Sequence, residues 1–188
     1  MKRLSKLMLV SNFCCTLFYA MSYPYIYAET VKAVSKPYIT FEQVISCLGI
    51  ILFSLIWNKY GNKLFNHYRK FIILEVVADT FLFAHVIVTG NLKFYFLLNV
   101  IIYALITKNL SCGGIKMRAL VHPNDTEREQ YDNNANTVNS IATLLGSVVA
   151  LLIPFNLRTL FILALLGGVV DNFFYLYIFN CIGKMPKE

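Results

Sequence analysis

The stretch FLFAHVIVTGNLKFYFLLNVII, residues 81–102, consists of two apolar runs separated by a short polar connection. The connection GNLK, residues 90–93, contains a Gly and an Asn, which favour reversal of the chain. An apolar segment of about 20 residues crosses a bilayer as a helix, because a helix satisfies its own backbone polar groups in hydrocarbon. The stretch therefore predicts two antiparallel transmembrane helices.

The same pattern extends over the whole chain of 188 residues, of which 57% are hydrophobic and 14% charged. The mean hydropathy of +0.59 is far from the balance of a soluble domain. Six windows are candidate spans: Leu7–Ala28, Phe41–Trp57, Phe71–Thr89, Phe94–Leu110, Val138–Ile153 and Leu160–Ile182. A second short connection, PFNLR, pairs the last two spans as a hairpin. We predict an all-α, polytopic membrane protein.

The chain is expected to form one membrane domain over residues 1–188, with spans one to three in about 1–90 and spans four to six in about 91–188. The segment KMRALVHPNDTEREQYDNN carries charges of both signs and a Pro-Asn-Asp turn signal. We therefore expect an inner linker at about 111–135 between two three-helix repeats. In membrane proteins, such repeats often share a topology while their sequences are only weakly similar.

Basic residues are distributed unevenly between the two sides of this topology. The side that includes the N-terminus has 13 of the 17: Lys2, Arg3, Lys6, Lys59, Lys63, Arg69, Lys70, Lys108, Lys116, Arg118, Arg128, Lys184 and Lys187. The other side has Lys32, Lys36, Lys93 and Arg158. We expect an integral protein of a bacterial cytoplasmic (inner) membrane with both termini cytoplasmic.

Composition also argues against several classes of function. The net charge of +7 follows from topology and from anionic lipid headgroups, and no basic patch interleaved with aromatic residues indicates nucleic-acid binding. The five cysteines include no Cys-x-x-Cys pair, so neither a disulfide framework nor a metal site is predicted. No catalytic constellation or phosphate-binding loop is visible, so we predict neither an enzyme nor a cofactor.

The segment SLIWNKYGNKLF, residues 54–65, interrupts an apolar run with polar residues and a Gly suited to a tight inner turn. Its pattern, which runs over Ser54, Asn58, Lys59, Gly61 and Lys63, resembles the inner loop between spans two and three of the major facilitator superfamily. That family's pattern is Gly-x-x-x-Asp-Arg/Lys-x-Gly-Arg/Lys-Arg/Lys. Residues 59, 61 and 63 match it, whereas residues 54, 58 and 62 depart from it.

The resemblance continues from about residue 54 to residue 170, through a Pro-x-x-x-x-Arg inner loop and a fifth span rich in small residues. Members of the family have two six-span halves that rock about a central cavity. The resemblance thus implies a half-size relative that acts as a homodimer or with a partner half. In the family, the acidic residue of the inner loop joins the two halves, and Asn58 would make a weaker, uncharged contact there.

Two carboxyl residues, Asp79 and Asp171, lie about midway along spans three and six. An intramembrane carboxyl is costly, so it indicates either a proton-coupling group or a structural hydrogen bond between helices. The resemblance places spans three and six at the periphery, which favours the structural alternative. Glu75 lies one turn before Asp79, near the inner boundary, where we expect it to extend towards the headgroups or to pair with Arg69 or Lys70.

Two further groups of residues are candidates for the solute path and for an interface. The resemblance implies that Asn12, Tyr19, Asn99 and Tyr103 line the cavity. The periodicity of span five places Asn136, Ser140, Thr143 and Ser147 on one small, polar stripe. This stripe is either the surface where a second half docks or a packing face within the bundle.

Two functions remain open on the sequence. The first is secondary transport of an unknown small solute by paired halves, with Asp79 or Asp171 as the candidate proton-coupling group. The alternative is an accessory, sensor or immunity-type membrane protein that binds a partner and does not transport. The uncharged Asn58 and the few polar residues of the expected cavity favour this alternative.

Overall fold

The computed structural model describes residues 2–34 and 36–183, with the backbone alone described at residues 2, 36 and 37. The helices are α1 (Lys2–Ala33), α2 (Lys36–Asn66), α3 (Tyr68–Thr89), α4 (Leu92–Ile102), α5 (Lys108–Val121), α6 (Asp125–Leu152) and α7 (Leu157–Ile182). A π-helical turn, Tyr103–Thr107, joins α4 to α5, so these three elements form one continuous span. The predicted positions of Lys184 and Lys187 lie outside the described residues.

Among the described residues, six helices are long and apolar enough to cross a membrane, which confirms the predicted all-helical architecture. The two short connections are also confirmed. Gly90 ends α3 with a φ of 67°, a left-handed conformation that suits glycine. The side chain of Asn91 then accepts a hydrogen bond from the backbone N–H of Phe94, and Asn156 caps α7 in the same way.

The predicted inner linker at 111–135 is mostly helical, because only residues 122–124 lie between α5 and α6. Pro123 interrupts the helix there, and Asp125 and Glu127 favour the restart by placing negative charge in the first turn of α6. The predicted turn at Gly61 is wrong as well. Helix α2 continues through Gly61 to Asn66, because a glycine lowers helix stability by only about 1 kcal/mol.

Helix α1 is the centre of the bundle and packs mainly against α6 and α7. A Cβ atom added to Gly146 of α6 would lie 2.7 Å from the carbonyl oxygen of Leu17, and one added to Gly167 of α7 would lie 2.8 Å from Cβ of Phe18. The two glycines therefore allow α6 and α7 to approach α1 closely. Since α3 also packs on α7, spans one to three are not separated from spans four to six.

Two core clusters define the two ends of the bundle. At one end, the start of α1 (Leu4, Met8) packs with Met117, Tyr131 and Ile178. We call this the basic end; α2, α5 and α7 finish there, and α3 and α6 begin there. At the opposite end, Ile26 packs with residues of α3, α4 and α7.

Helix α2 lies at the side of the bundle and contacts mainly span four. A Cβ atom on Gly49 would lie 2.9 Å from the carbonyl oxygen of Ala104, so the two backbones nearly touch there. Closer to the basic end, the indole N–H of Trp57 donates to Oδ1 of Asn109 at 2.6 Å. This buried bond fixes the register of α2 on α5.

Candidate functional site: a polar cavity inside the bundle

A cavity of about 610 Å³ extends into the bundle between α1, α3, span four, α6 and α7. It runs from Arg118 and Asp132, near the basic end, to Glu75 and Asp171. At 1.5 Å per residue, these two carboxyls lie roughly 10 Å and 16 Å along their helices from that end. The cavity is thus large enough for a small solute and reaches groups placed well inside the membrane.

Asp171 is part of the cavity wall and is not peripheral to it. The hydroxyl of Ser11 on α1 donates to Oδ1 of Asp171 at 2.6 Å. The peripheral placement expected for span six is wrong, because α7 packs along the central helix α1. One carboxylate oxygen of Asp171 is therefore oriented by α1, while the residue still borders the cavity.

Glu75 is buried, with 9% of its surface exposed, and it lines the same cavity. The hydroxyl of Thr107 donates to Oε1 of Glu75 at 2.9 Å. Thr107 is the last residue of the π-helical turn, and π turns often occur at functional sites. The expected pairing of Glu75 with Arg69 or Lys70 is wrong, because this face of α3 is covered by span four.

Asp79 and Tyr19 lie beside α7 at Gly168. A Cβ atom added to Gly168 would lie 3.7 Å from Oδ2 of Asp79 and 3.8 Å from the Tyr19 hydroxyl oxygen. Neither residue is among those that line the cavity. Asp79 therefore sits one helical turn beyond Glu75, on the side away from the basic end.

The mouth of the cavity has its own polar contacts. Arg118 Nη1 lies 2.8 Å from Oδ1 of Asp132, so one basic and one acidic group pair there. The amide of Asn12 donates to the Tyr131 hydroxyl at 3.3 Å, and both residues line the cavity. Asp132 thus balances the charge of Arg118 at the mouth. No other Lys or Arg is among the described lining residues, so the carboxyls deeper inside have no basic residue opposite them.

Next to the mouth, His122 occupies the short connection between α5 and α6. Its ring stacks on Tyr131 with centroids 4.7 Å apart, and its Nε2 is buried without a hydrogen-bond partner among the described residues. Burial lowers the pKa of His122, and the nearby charge of Arg118 lowers it further, whereas Glu127 and Asp132 raise it. Burial therefore favours the neutral form of His122, whose ring packs on Tyr131.

Beyond the carboxyls, apolar and aromatic side chains fill the bundle. The ring of Phe161 lies 4.9 Å from that of Tyr95 and 5.8 Å from that of Phe83, measured between centroids. All three residues are buried. Packed rings therefore fill the bundle on the side of the carboxyls away from the basic end.

Of the four residues predicted to line the cavity, Asn12 does so, whereas Tyr19, Asn99 and Tyr103 do not. Asn12 lines the cavity, but Asn99 borders a separate small cleft with Glu42 and Tyr95 towards the opposite end. Tyr103 is 37% exposed, and its hydroxyl accepts a hydrogen bond from Lys108 at 3.0 Å. Asn99 and Tyr103 are thus not part of the cavity wall.

The polar stripe of α6 is largely uncovered. Asn136, Ser140 and Thr143 are exposed and Ser147 is half-buried, whereas Ala142, Gly146 and Ala150 form the buried face of the helix. The hydroxyl of Ser140 donates to the carbonyl oxygen of Asn136 on the same helix, and Asn136 also borders the cavity mouth. The stripe is therefore not the face that packs within the bundle.

Several residues that line the cavity were not predicted from the sequence. Tyr131 and Asp132 belong to the segment predicted as a linker, and Asn139 lies in the predicted span five but outside its polar stripe. Within residues 2–34 and 36–183, no group of three or more His, Cys, Asp or Glu side chains is arranged to hold a metal ion.

Comparison with protein-family models, curated proteins and solved structures found no match to this chain.

Proposed function

We propose that this chain is a secondary-transporter half, related to the major facilitator superfamily, that moves a small solute through the polar cavity. The observation that carries the proposal is a cavity of about 610 Å³ that is lined by two carboxyls of membrane-crossing helices, Glu75 and Asp171. Transporters of this class bind their solute in a polar site within the membrane, between the helices.

Asp171 is the main proton-sensitive group in this proposal, with Asp79 in a secondary role. A carboxyl that borders a cavity within the membrane can exchange a proton with water entering from one side. Glu75, held by Thr107 on the π-helical turn, adds a second carboxyl to the same wall. With two carboxyls and no unbalanced basic residue in the described lining, the cavity favours neutral or cationic solutes over anions.

The working unit in this proposal is a homodimer in which α6 faces its counterpart through Asn136, Ser140, Thr143 and Ser147. The exposure of three of these residues supports this assignment. Small and hydroxyl side chains allow close approach of helices and hydrogen bonds between them. The basic end faces the cytoplasm of a bacterial cell, following the distribution of Lys and Arg.

The proposal is tested by reconstituting the protein into liposomes that contain a pH-sensitive dye and adding amino acids, amines, sugars and organic acids separately. We expect proton entry that depends on both the protein and at least one neutral or cationic solute. The same solute should raise the unfolding midpoint of the protein in detergent, because ligand binding stabilises the folded state. Proton entry driven only by organic anions would contradict the proposed charge preference.

A further inference from the structure

A second cleft, of about 710 Å³, lies on the side of the bundle between the end of α2 and α5. Three lysines, Lys59, Lys63 and Lys116, line it together with Trp57, Asn62 and Ile115. We call it the lysine cleft. It differs from the polar cavity, with which it shares only Ile115 among the described lining residues, because the rest of its lining comes from the end of α2 and from α5.

Contacts between the two helices fix the shape of the lysine cleft. Lys116 reaches from α5 to α2, where its ammonium donates to Oδ1 of Asn62 and lies 5.5 Å from the centroid of the Phe65 ring. A Cβ atom on Gly61 would lie 4.0 Å from Nζ of Lys116 and 3.5 Å from the Trp57 ring, so α2 and the Lys116 side chain are in ordinary van der Waals range here. The cleft is thus formed by specific contacts between two helices.

The charge of the lysine cleft is positive and unbalanced. None of its lining residues is Asp or Glu. The ion pairs among the described residues, Glu29–Lys32, Arg118–Asp132 and Asp125–Arg128, involve none of its lysines. Three lysines that line one cleft, with the amide of Asn62 beside Lys116, match the chemistry of a phosphate group.

The surroundings of the cleft favour a phosphate that arrives from the bilayer. Ile115 and Tyr60, which line the cleft, are 60% and 45% exposed on a face of the bundle formed by membrane-crossing helices. We propose that the lysine cleft binds the phosphate of an anionic phospholipid headgroup, with the acyl chains lying along the apolar surface of α2 and α5. Basic pockets between helices at a membrane surface are a known form of lipid recognition.

Native mass spectrometry of protein released from nanodiscs of phosphatidylglycerol and phosphatidylcholine tests this site. The variant Lys59→Gln/Lys63→Gln/Lys116→Gln is compared with Lys6→Gln/Arg69→Gln/Lys70→Gln, which removes three charges from exposed residues outside the cleft. We expect the cleft variant to retain at least about threefold less phosphatidylglycerol than the control variant. The charge-preserving variant Lys59→Arg/Lys63→Arg/Lys116→Arg should retain the lipid as the wild type does.

Two outcomes would overturn the proposal: equal retention by the two Gln variants, or thermal stabilisation by inorganic phosphate but not by phosphatidylglycerol. The last would indicate a site for a free anion. If the triple variant does not fold, Asn62→Asp provides the same test, because the new carboxylate would pair with Lys116 and exclude the phosphate. Wild-type lipid retention by folded Asn62→Asp would then contradict the proposal.

Discussion

Replacing Asp171 with Asn is expected to lower solute-driven proton entry into liposomes by about tenfold or more. Asparagine preserves the size of the side chain and an oxygen that can accept the hydrogen bond from Ser11. It cannot take up or release a proton. We therefore expect solute exchange between the two sides to persist while its coupling to protons is lost.

The control for this prediction is Asp125→Asn, which removes the same charge from a side chain that is 96% exposed and lies outside the cavity. It should leave proton entry within about twofold of the wild type, because screened surface charges have small effects. Asp79→Asn should fall between the two, since Asp79 does not border the cavity. Wild-type proton entry by Asp171→Asn would show that this carboxyl only links α7 to α1.

Enlarging Gly146 is expected to cause a large loss of stability, because α6 lies directly against α1 there. A Cβ atom at Gly146 would lie 2.7 Å from a backbone oxygen of α1 and 2.8 Å from Cβ of Ala20, so the helices must separate. Overpacking of this kind costs about 1 to 3 kcal/mol, and we expect Gly146→Ala within this range and Gly146→Leu at or above its upper limit. Unfolding in mixed micelles with increasing SDS, followed by circular dichroism, measures the loss.

Gly61→Ala is the matched control, since both glycines lie inside helices and receive the same methyl group. A Cβ atom on Gly61 has its nearest neighbour at 3.5 Å, an ordinary contact with the Trp57 side chain. Because alanine favours a helix, we expect Gly61→Ala to keep or slightly raise the unfolding midpoint. Equal losses for Gly61→Ala and Gly146→Ala would contradict the close packing of α6 on α1.

The membrane class, the six spans and the two short hairpins could be predicted from the sequence, because the length of an apolar run and the presence of Gly or Asn at its end are local features. The extent of the inner linker was predicted wrongly, because the local polarity of this segment does not distinguish a loop from the exposed end of a helix. Residues 125–135 are polar, yet they continue α6, since a helix can extend beyond the bilayer when its first turn is favourable.

The candidate site was less accessible to sequence reasoning, because it depends on which faces of the helices meet. Asp171 was correctly singled out as an intramembrane carboxyl, but its contact with Ser11 requires α7 to pack on α1. Glu75 was expected to extend towards the headgroups, but in the structure it accepts a hydrogen bond from Thr107 on span four. The π-helical turn that carries Thr107 has no recognisable sequence signal.

Disulfide cross-linking in membrane vesicles tests the paired transporter most directly. Single cysteines are placed at Ser140 and Thr143 in a background without the five native cysteines. Phe173→Cys, which lies exposed on α7, serves as the control. The account predicts rapid oxidation of the two α6 variants to a species of twice the 21.5 kDa chain mass, and little oxidation of the control. A chain that stays monomeric, or that cross-links equally well through Phe173→Cys, would contradict a homodimer joined through α6.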